Sequence, residues 1–230
     1  MLTELHIKNF KAWKDTGAIR MAPLTVIFGA NSAGKSSLGH LLLALKQTTL
    51  LSDRKRALHL GDKYSLIELG TFADCIHAHD LRASLEFSLN WRLSSPLMVR
   101  NSSVRGESFS GTDISLTSRI RAGKGDQPEV ESIEYRLSNG ADDVLTADHR
   151  REAGSVTLEA SPLKLIKAVG RKWPLEPPEK FYRFFRRDTC ALPERRLLGA
   201  VRVRNGANAG KPGLPRPAAQ TPRTDLPMVR

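Results

Sequence analysis

Cysteine is almost missing from this 230-residue chain, with Cys75 and Cys190 its only two. Their spacing matches no metal motif, and both read as free thiols of a cytoplasmic protein. Long apolar runs are missing as well. Nothing approaches the roughly 18 consecutive apolar residues of a transmembrane helix, so no membrane partner is expected. Met1 to Phe10 alternates apolar with charged residues, where a signal peptide would be unbroken. No internal repeat is long enough for a solenoid. What is present is 40% apolar content, which suits a globular protein with one ordinary core and room for a small second lobe.

The formal charge is +12, a value that invites a nucleic-acid reading. Its distribution argues otherwise. Residues 185–230 hold nine Arg and one Lys against Asp188, Glu194 and Asp225, so +7 of the charge falls there and only +5 on the first 184 residues. That same stretch has no Ile, Tyr or Trp and carries six of the 13 Pro. No helical or strand period persists beyond Leu198. Such a composition buries too little apolar surface to offset chain entropy, so disorder is expected over 185–230.

Leu5 and Ile7 alternate with Glu4, His6 and Lys8, which predicts a strand over Leu2 to Phe10. Leu24 to Phe28 is a short apolar run ending at Gly29 and reads as a fully buried strand. A helix should follow from Lys35 to about Leu51, with Leu38, Leu41, Leu42 and Leu45 on one face. From Leu81 onward the period becomes two. Leu85, Phe87, Leu89, Trp91 and Leu93 alternate with polar residues, and Ile114-Leu116, Ile133-Tyr135-Leu137 and Val156-Leu158 repeat the theme. These predict antiparallel strands with one wet face, separated by Gly/Ser/Asp-rich turns.

Strand, glycine loop, helix is the setting of a phosphate-binding loop. Gly29-Ala30-Asn31-Ser32-Ala33-Gly34-Lys35-Ser36 fits G-x-x-x-x-G-K-[ST] at every required position. Gly29 and Gly34 allow backbone angles that a β-carbon hinders, so the chain can wrap around phosphate. Successive N–H groups from Asn31 to Ser36 should face inward as an anion nest, reinforced by the positive end of the following helix. Lys35 should reach the β- and γ-phosphates, and the Ser36 hydroxyl should ligate magnesium. The expected nucleotide-binding set is Gly29, Ala30, Asn31, Ser32, Ala33, Gly34, Lys35, Ser36 and Ser37, with ATP and Mg2+ as cofactors.

Leu5-His6-Ile7-Lys8-Asn9-Phe10-Lys11, followed by Leu24 to Ser37, resembles the opening of RecF-like, SMC-like and OLD-type ATPases, the ABC-type branch of P-loop proteins often described as AAA ATPases. Gly61-Asp62, Leu69 to Asp74, His77 to Asp80 and Pro177 to Tyr182 resemble a bacterial subfamily of such ATPases. The likeness covers residues 1 to about 184. It implies an α/β P-loop lobe at 1–80 and an antiparallel β-rich insertion or arm at 81–184. It further implies ATP-driven pairing of two heads, with the nucleotide held between one P-loop and the other head's signature motif. Hydrolysis in that family needs an Asp-Glu after an apolar strand and a Leu-Ser-x-Gly signature. This chain has neither, so a C-terminal, hydrolytic lobe is expected to be missing. Leu137-Ser138-Asn139-Gly140 reads better as a hairpin turn, and Asp142-Asp143 as a solvated turn. The preferred reading of 185–230 is an out-of-frame stretch after a frameshift; the other is a genuine basic tail.

Four further readings bear on function. Cys75, His77 and His79 would share one face of a strand, but no fourth zinc ligand is evident. Asp53-Arg54-Lys55-Arg56 could touch DNA or a partner subunit, though such runs are usually solvated. A self-sufficient kinase or GTPase lacks its magnesium Asp here, and a charge-driven DNA-binding protein would depend on the tail.

Overall fold

The computed structural model describes residues 1–163, apart from 54, 102, 103, 105, 153 and 154, together with residues 175–182. The tail at 185–230, with Cys190, lies outside the described residues, as does Arg54 of the charged run.

Period-two patterning builds most of the molecule. The strands are β1 (Leu2–Phe10), β2 (Trp13–Arg20), β3 (Leu85–Arg100), β4 (Ser108–Ala122), β5 (Pro128–Asn139), β6 (Asp142–Glu152) and β7 (Ser155–Ser161). They form one seven-stranded sheet in the order β2-β1-β3-β4-β5-β6-β7, and every neighbouring pair is antiparallel. Alternation sends one set of side chains inward: Leu5, Ile7, Phe87, Ile114, Leu116 and Ile133 are all buried. The opposite set is charged and cross-linked. Lys8 and Arg119 both reach Glu86, at 3.1 Å and 2.6 Å, and Arg92 meets Asp113 at 3.0 Å. The sheet continues across position 80, because β1 pairs with β3 from Leu2↔Trp91 to Lys8↔Glu86. Gly140, at φ +64°, helps close the β5–β6 hairpin, where Leu137 to Gly140 predicts a turn.

The helices are α1 (Lys35–Leu50) and the single turn α2 (Phe72–Cys75). α1 buries Leu38, Leu41, Ala44 and Leu45 in the same core as the strands, while Leu42 is only partly covered. Residues 57–69 are tied to α1 by polar groups that its apolar stripe leaves free. Gln47 Nε2 donates to the His59 carbonyl at 2.7 Å, and Thr48 Oγ1 accepts from the His59 N–H at 2.8 Å. Residues 175–182 return across the core. Phe181 stacks edge-on against Phe87 with centroids 5.6 Å apart, and the Tyr135 hydroxyl donates to the Tyr182 carbonyl at 2.8 Å.

The α/β expectation is overturned. The described residues form an antiparallel sheet with few helices, in place of an α/β P-loop lobe with a β-rich insertion and a missing C-terminal lobe. The physical reason lies in Leu24 to Phe28. A buried parallel strand needs neighbours along both edges and cover on both faces. This run joins no strand pairing, and Leu24, Val26 and Phe28 are 82%, 59% and 89% exposed. Its apolar composition encodes a preference for burial without supplying the neighbours. The long alternating segments pair with one another and leave it outside the sheet.

Candidate phosphate-binding site

The site is organised by the turn between β1 and β2. Asn9 and Lys11 take positive φ there, at 55° and 49°. For residues with a β-carbon that conformation must be held by partners. The Asn9 amide donates to the Ser84 carbonyl at 3.0 Å. The Lys11 N–H donates to the Cys75 carbonyl at 2.8 Å, and His77 Nδ1 donates to the Lys11 carbonyl at 2.9 Å. The short 72–79 segment therefore clamps the turn. Thr71 and Asp74 form a reciprocal capping box that starts α2. The Thr71 hydroxyl, and next its N–H, hold the Asp74 carboxyl below its usual range.

Residues 29–34 lead from the exposed run into α1. Ser32 sits at φ +61° and Gly34 at φ +81°, and Gly34 is the N-cap of α1. Gly34 is required on two counts. The left-handed angle disfavours a side chain. A β-carbon there would also lie 2.7 Å from Ala12 Cβ and 3.1 Å from Trp13 Nε1. The Trp13 indole N–H donates to the Gly34 carbonyl at 3.0 Å, so the glycine loop rests directly on the β1–β2 turn.

The loop is rich in main-chain donors. Among the described residues, the N–H groups of Asn31, Ser32, Gly34, Lys35 and Ser36 have no hydrogen-bond partner. Ala33 donates to the Ala30 carbonyl at 3.3 Å and Ser37 to the Gly34 carbonyl at 3.0 Å. α1 has no side-chain cap and no acidic residue in its first turn, so nothing of opposite charge satisfies its positive end. Lys35 folds back over the loop, its Nζ donating to the Gly29 and Ala30 carbonyls at 2.7 Å and 2.5 Å. Lys11 adds positive charge nearby. Burial, and then the charge of Lys11, hold the His40 imidazole below its ordinary pKa.

The structure brings Gly29 to Ser36 together as one exposed or half-exposed loop, whereas Ser37 is buried at 8% exposure. Trp13 joins the neighbourhood without any signal in the motif itself. Trp13 follows the Asn9-Phe10-Lys11 turn by two residues, and only the folded turn reveals its reach to Gly34.

The other arrangements stay apart from this loop's chemistry. Cys75 is in α2 and His77 and His79 are in the turn after it, so the shared strand face does not form. Cys75 is fully buried, and burial pushes its thiol up to about 11. His79 Nδ1 donates to the Ala73 carbonyl at 3.0 Å. No cluster of three or more His, Cys, Asp or Glu side chains among the described residues could hold a metal ion. Ser65 Oγ lies 2.9 Å from His59 Nε2 and 2.8 Å from Asp62 Oδ1. Arg56 occupies the other ring nitrogen of His59 at 3.1 Å. A guanidinium can only donate, so His59 Nδ1 accepts and Nε2 carries the hydrogen. The serine then accepts a hydrogen bond from the imidazole and donates its own hydrogen to Asp62, so the imidazole cannot take its proton, which is the wrong sense for a nucleophile. No helix among the described residues is long and apolar enough to cross a membrane.

Comparison with known proteins adds no family: no protein-family model matches this chain, and no curated protein matches it.

Proposed function

We propose that residues 29–37 bind the triphosphate of a nucleotide, ATP together with magnesium. The observation that carries this reading is the set of partnerless main-chain N–H groups of Asn31, Ser32, Gly34, Lys35 and Ser36 at the start of a 16-residue helix with no acidic residue in its first turn. Main-chain donors at a helix start suit a polyanion, because they bring positive potential without bulk. Lys35 supports the same reading. Its ammonium is held by carbonyls of its own loop, at the mouth of the donor set, and a phosphate oxygen is a stronger acceptor than either. For magnesium the loop offers the exposed Ser36 hydroxyl, leaving the remaining positions to phosphate oxygens and water. The sequence has no apolar run ending in Asp-Glu, so the reading is of binding with turnover at background level.

Isothermal titration with ATP and magnesium tests it. Wild type should bind with a stoichiometry of one, and Lys35→Ala should weaken binding by at least about tenfold, the effect of one charge-assisted contact. Equal affinity of wild type and Lys35→Ala, or no binding to either, would sink the reading.

A further inference from the structure

We propose that Trp13 is a positioning residue for the phosphate loop, acting through its indole N–H on the Gly34 carbonyl. The inference rests on the nucleotide-binding reading and names what keeps that site in shape.

The geometry is specific. The Gly34 carbonyl accepts two hydrogen bonds, one from the Ser37 N–H at 3.0 Å and one from Trp13 Nε1 at 3.0 Å. A carbonyl oxygen has two lone pairs, so this acceptor is saturated. The peptide that follows is planar and trans, so the Lys35 N–H points opposite to the Gly34 carbonyl. Holding the oxygen toward Trp13 and α1 therefore turns the Lys35 N–H the other way, into the open donor set. Gly34 is the residue at which this orientation is most easily lost. At φ +81° and ψ +10°, without a β-carbon, it can rotate the 34–35 peptide at little steric cost. A flipped peptide would present an oxygen where a phosphate needs a hydrogen. The Ser37 bond alone is the ordinary first turn of a helix, which frays. Trp13 supplies the second hold from outside the helix, and its own position is set by β-sheet pairing at Phe10↔Trp13. The close fit of Ala12 and Trp13 around Gly34 shows the same grip from the other side.

The role belongs to the N–H donor, and a donorless ring separates it from simple packing. Trp13→Phe and replacement of Trp13 by benzothienylalanine both keep an aromatic side chain and remove the donor. Affinity is measured for ATP–magnesium and for tripolyphosphate–magnesium, alongside wild type and Lys35→Ala. Both replacements should weaken both ligands by the same factor, about tenfold, as for one lost hydrogen bond with its acceptor left short. The indole N–H resonance of Trp13, assigned by its absence in Trp13→Phe, should shift when wild type binds tripolyphosphate.

Unchanged affinity for both ligands overturns the proposal while leaving nucleotide binding intact. Weakened ATP with unchanged tripolyphosphate also overturns it, because Trp13 would then be a platform for the base. If wild type binds neither ligand, the nucleotide-binding reading falls and the role of Trp13 falls with it. If both replacements unfold, the wild-type resonance decides: a Trp13 signal indifferent to tripolyphosphate rejects the coupling.

Discussion

Lys180 Nζ donates to the Leu51 carbonyl at 2.9 Å, across 129 residues of chain. It also reaches the Thr48 carbonyl at 3.2 Å. α1 has no basic residue in its own last turn, so its negative end is served by a lysine from the far end of the described chain. The ammonium is buried, with the residue 3% exposed. Lys180→Met keeps the stem and removes the donors. It should cost about 1–3 kcal/mol in urea unfolding, the range for buried acceptors left short. Hydrogen exchange should quicken at the end of α1 and leave β4 and β5 unchanged. A variant as stable as wild type would show that residues 175–182 are held without Lys180, by Phe181 packing and the Tyr135–Tyr182 hydrogen bond.

His149 is fully buried in β6, and burial is the main reason its imidazole is pushed down to about 4, from an ordinary value near 6.5. The sign of the pH effect follows. Between pH 6.5 and 4 the unfolded chain binds a proton that the folded chain refuses, so stability falls as pH falls through that window. The full effect is on the order of 3 kcal/mol, reached near pH 4. Carboxyls held low, such as Asp74 and Asp113, lose their contribution only below the usual carboxylate range. His149→Phe should flatten the slope between pH 6.5 and 4.5 in denaturant titrations. An unchanged slope would assign it elsewhere.

The antiparallel part of the fold was legible because a half-buried strand writes itself as alternation. Leu85, Phe87 and Leu89 are buried in β3 as their spacing predicts, and Ile133, Tyr135 and Leu137 likewise in β5. α1 was legible from its leucine stripe and from the glycine before it. Leu24 to Phe28 was misread because an apolar run specifies burial on both faces but says nothing of which strands provide it. The extended setting of Cys75, His77 and His79 failed for a related reason. The Thr71–Asp74 capping box, a local polar signal, starts a helical turn that a strand pattern overlooks. Within the site, the main-chain donors follow from the motif. The hold of Trp13 on Gly34 is a contact across 21 residues, and nothing local encodes it.

Gly34 and Gly39 lie five residues apart and should respond in opposite directions to the same change. A β-carbon at Gly34 meets Ala12 Cβ at 2.7 Å and is carried on a φ of +81°. At Gly39, inside α1, it meets nothing within 4 Å. Gly34→Ala should destabilise by about 1–3 kcal/mol, the cost of a strained left-handed residue, and should abolish phosphate binding. Gly39→Ala should stabilise by about 0.5–1 kcal/mol through helix propensity. Thermal unfolding of the two variants, run side by side, checks both signs. A stabilised Gly34→Ala would mean that the loop is not gripped by the β1–β2 turn.

Phe28 tests the correction to the fold. It is 89% exposed, and Leu24 is 82% exposed, so neither side chain contributes buried area to the described structure. Phe28→Gln should therefore change unfolding free energy by less than about 0.5 kcal/mol, as surface substitutions do. It should also raise solubility, since a contiguous exposed apolar run favours association. The comparison is Phe87→Ala, in the core beside Phe181, which should cost about 3–5 kcal/mol. If Phe28→Gln approached the cost of Phe87→Ala, the run from Leu24 to Phe28 would be packed in solution. If it costs nothing, the antiparallel sheet folds independently of that run.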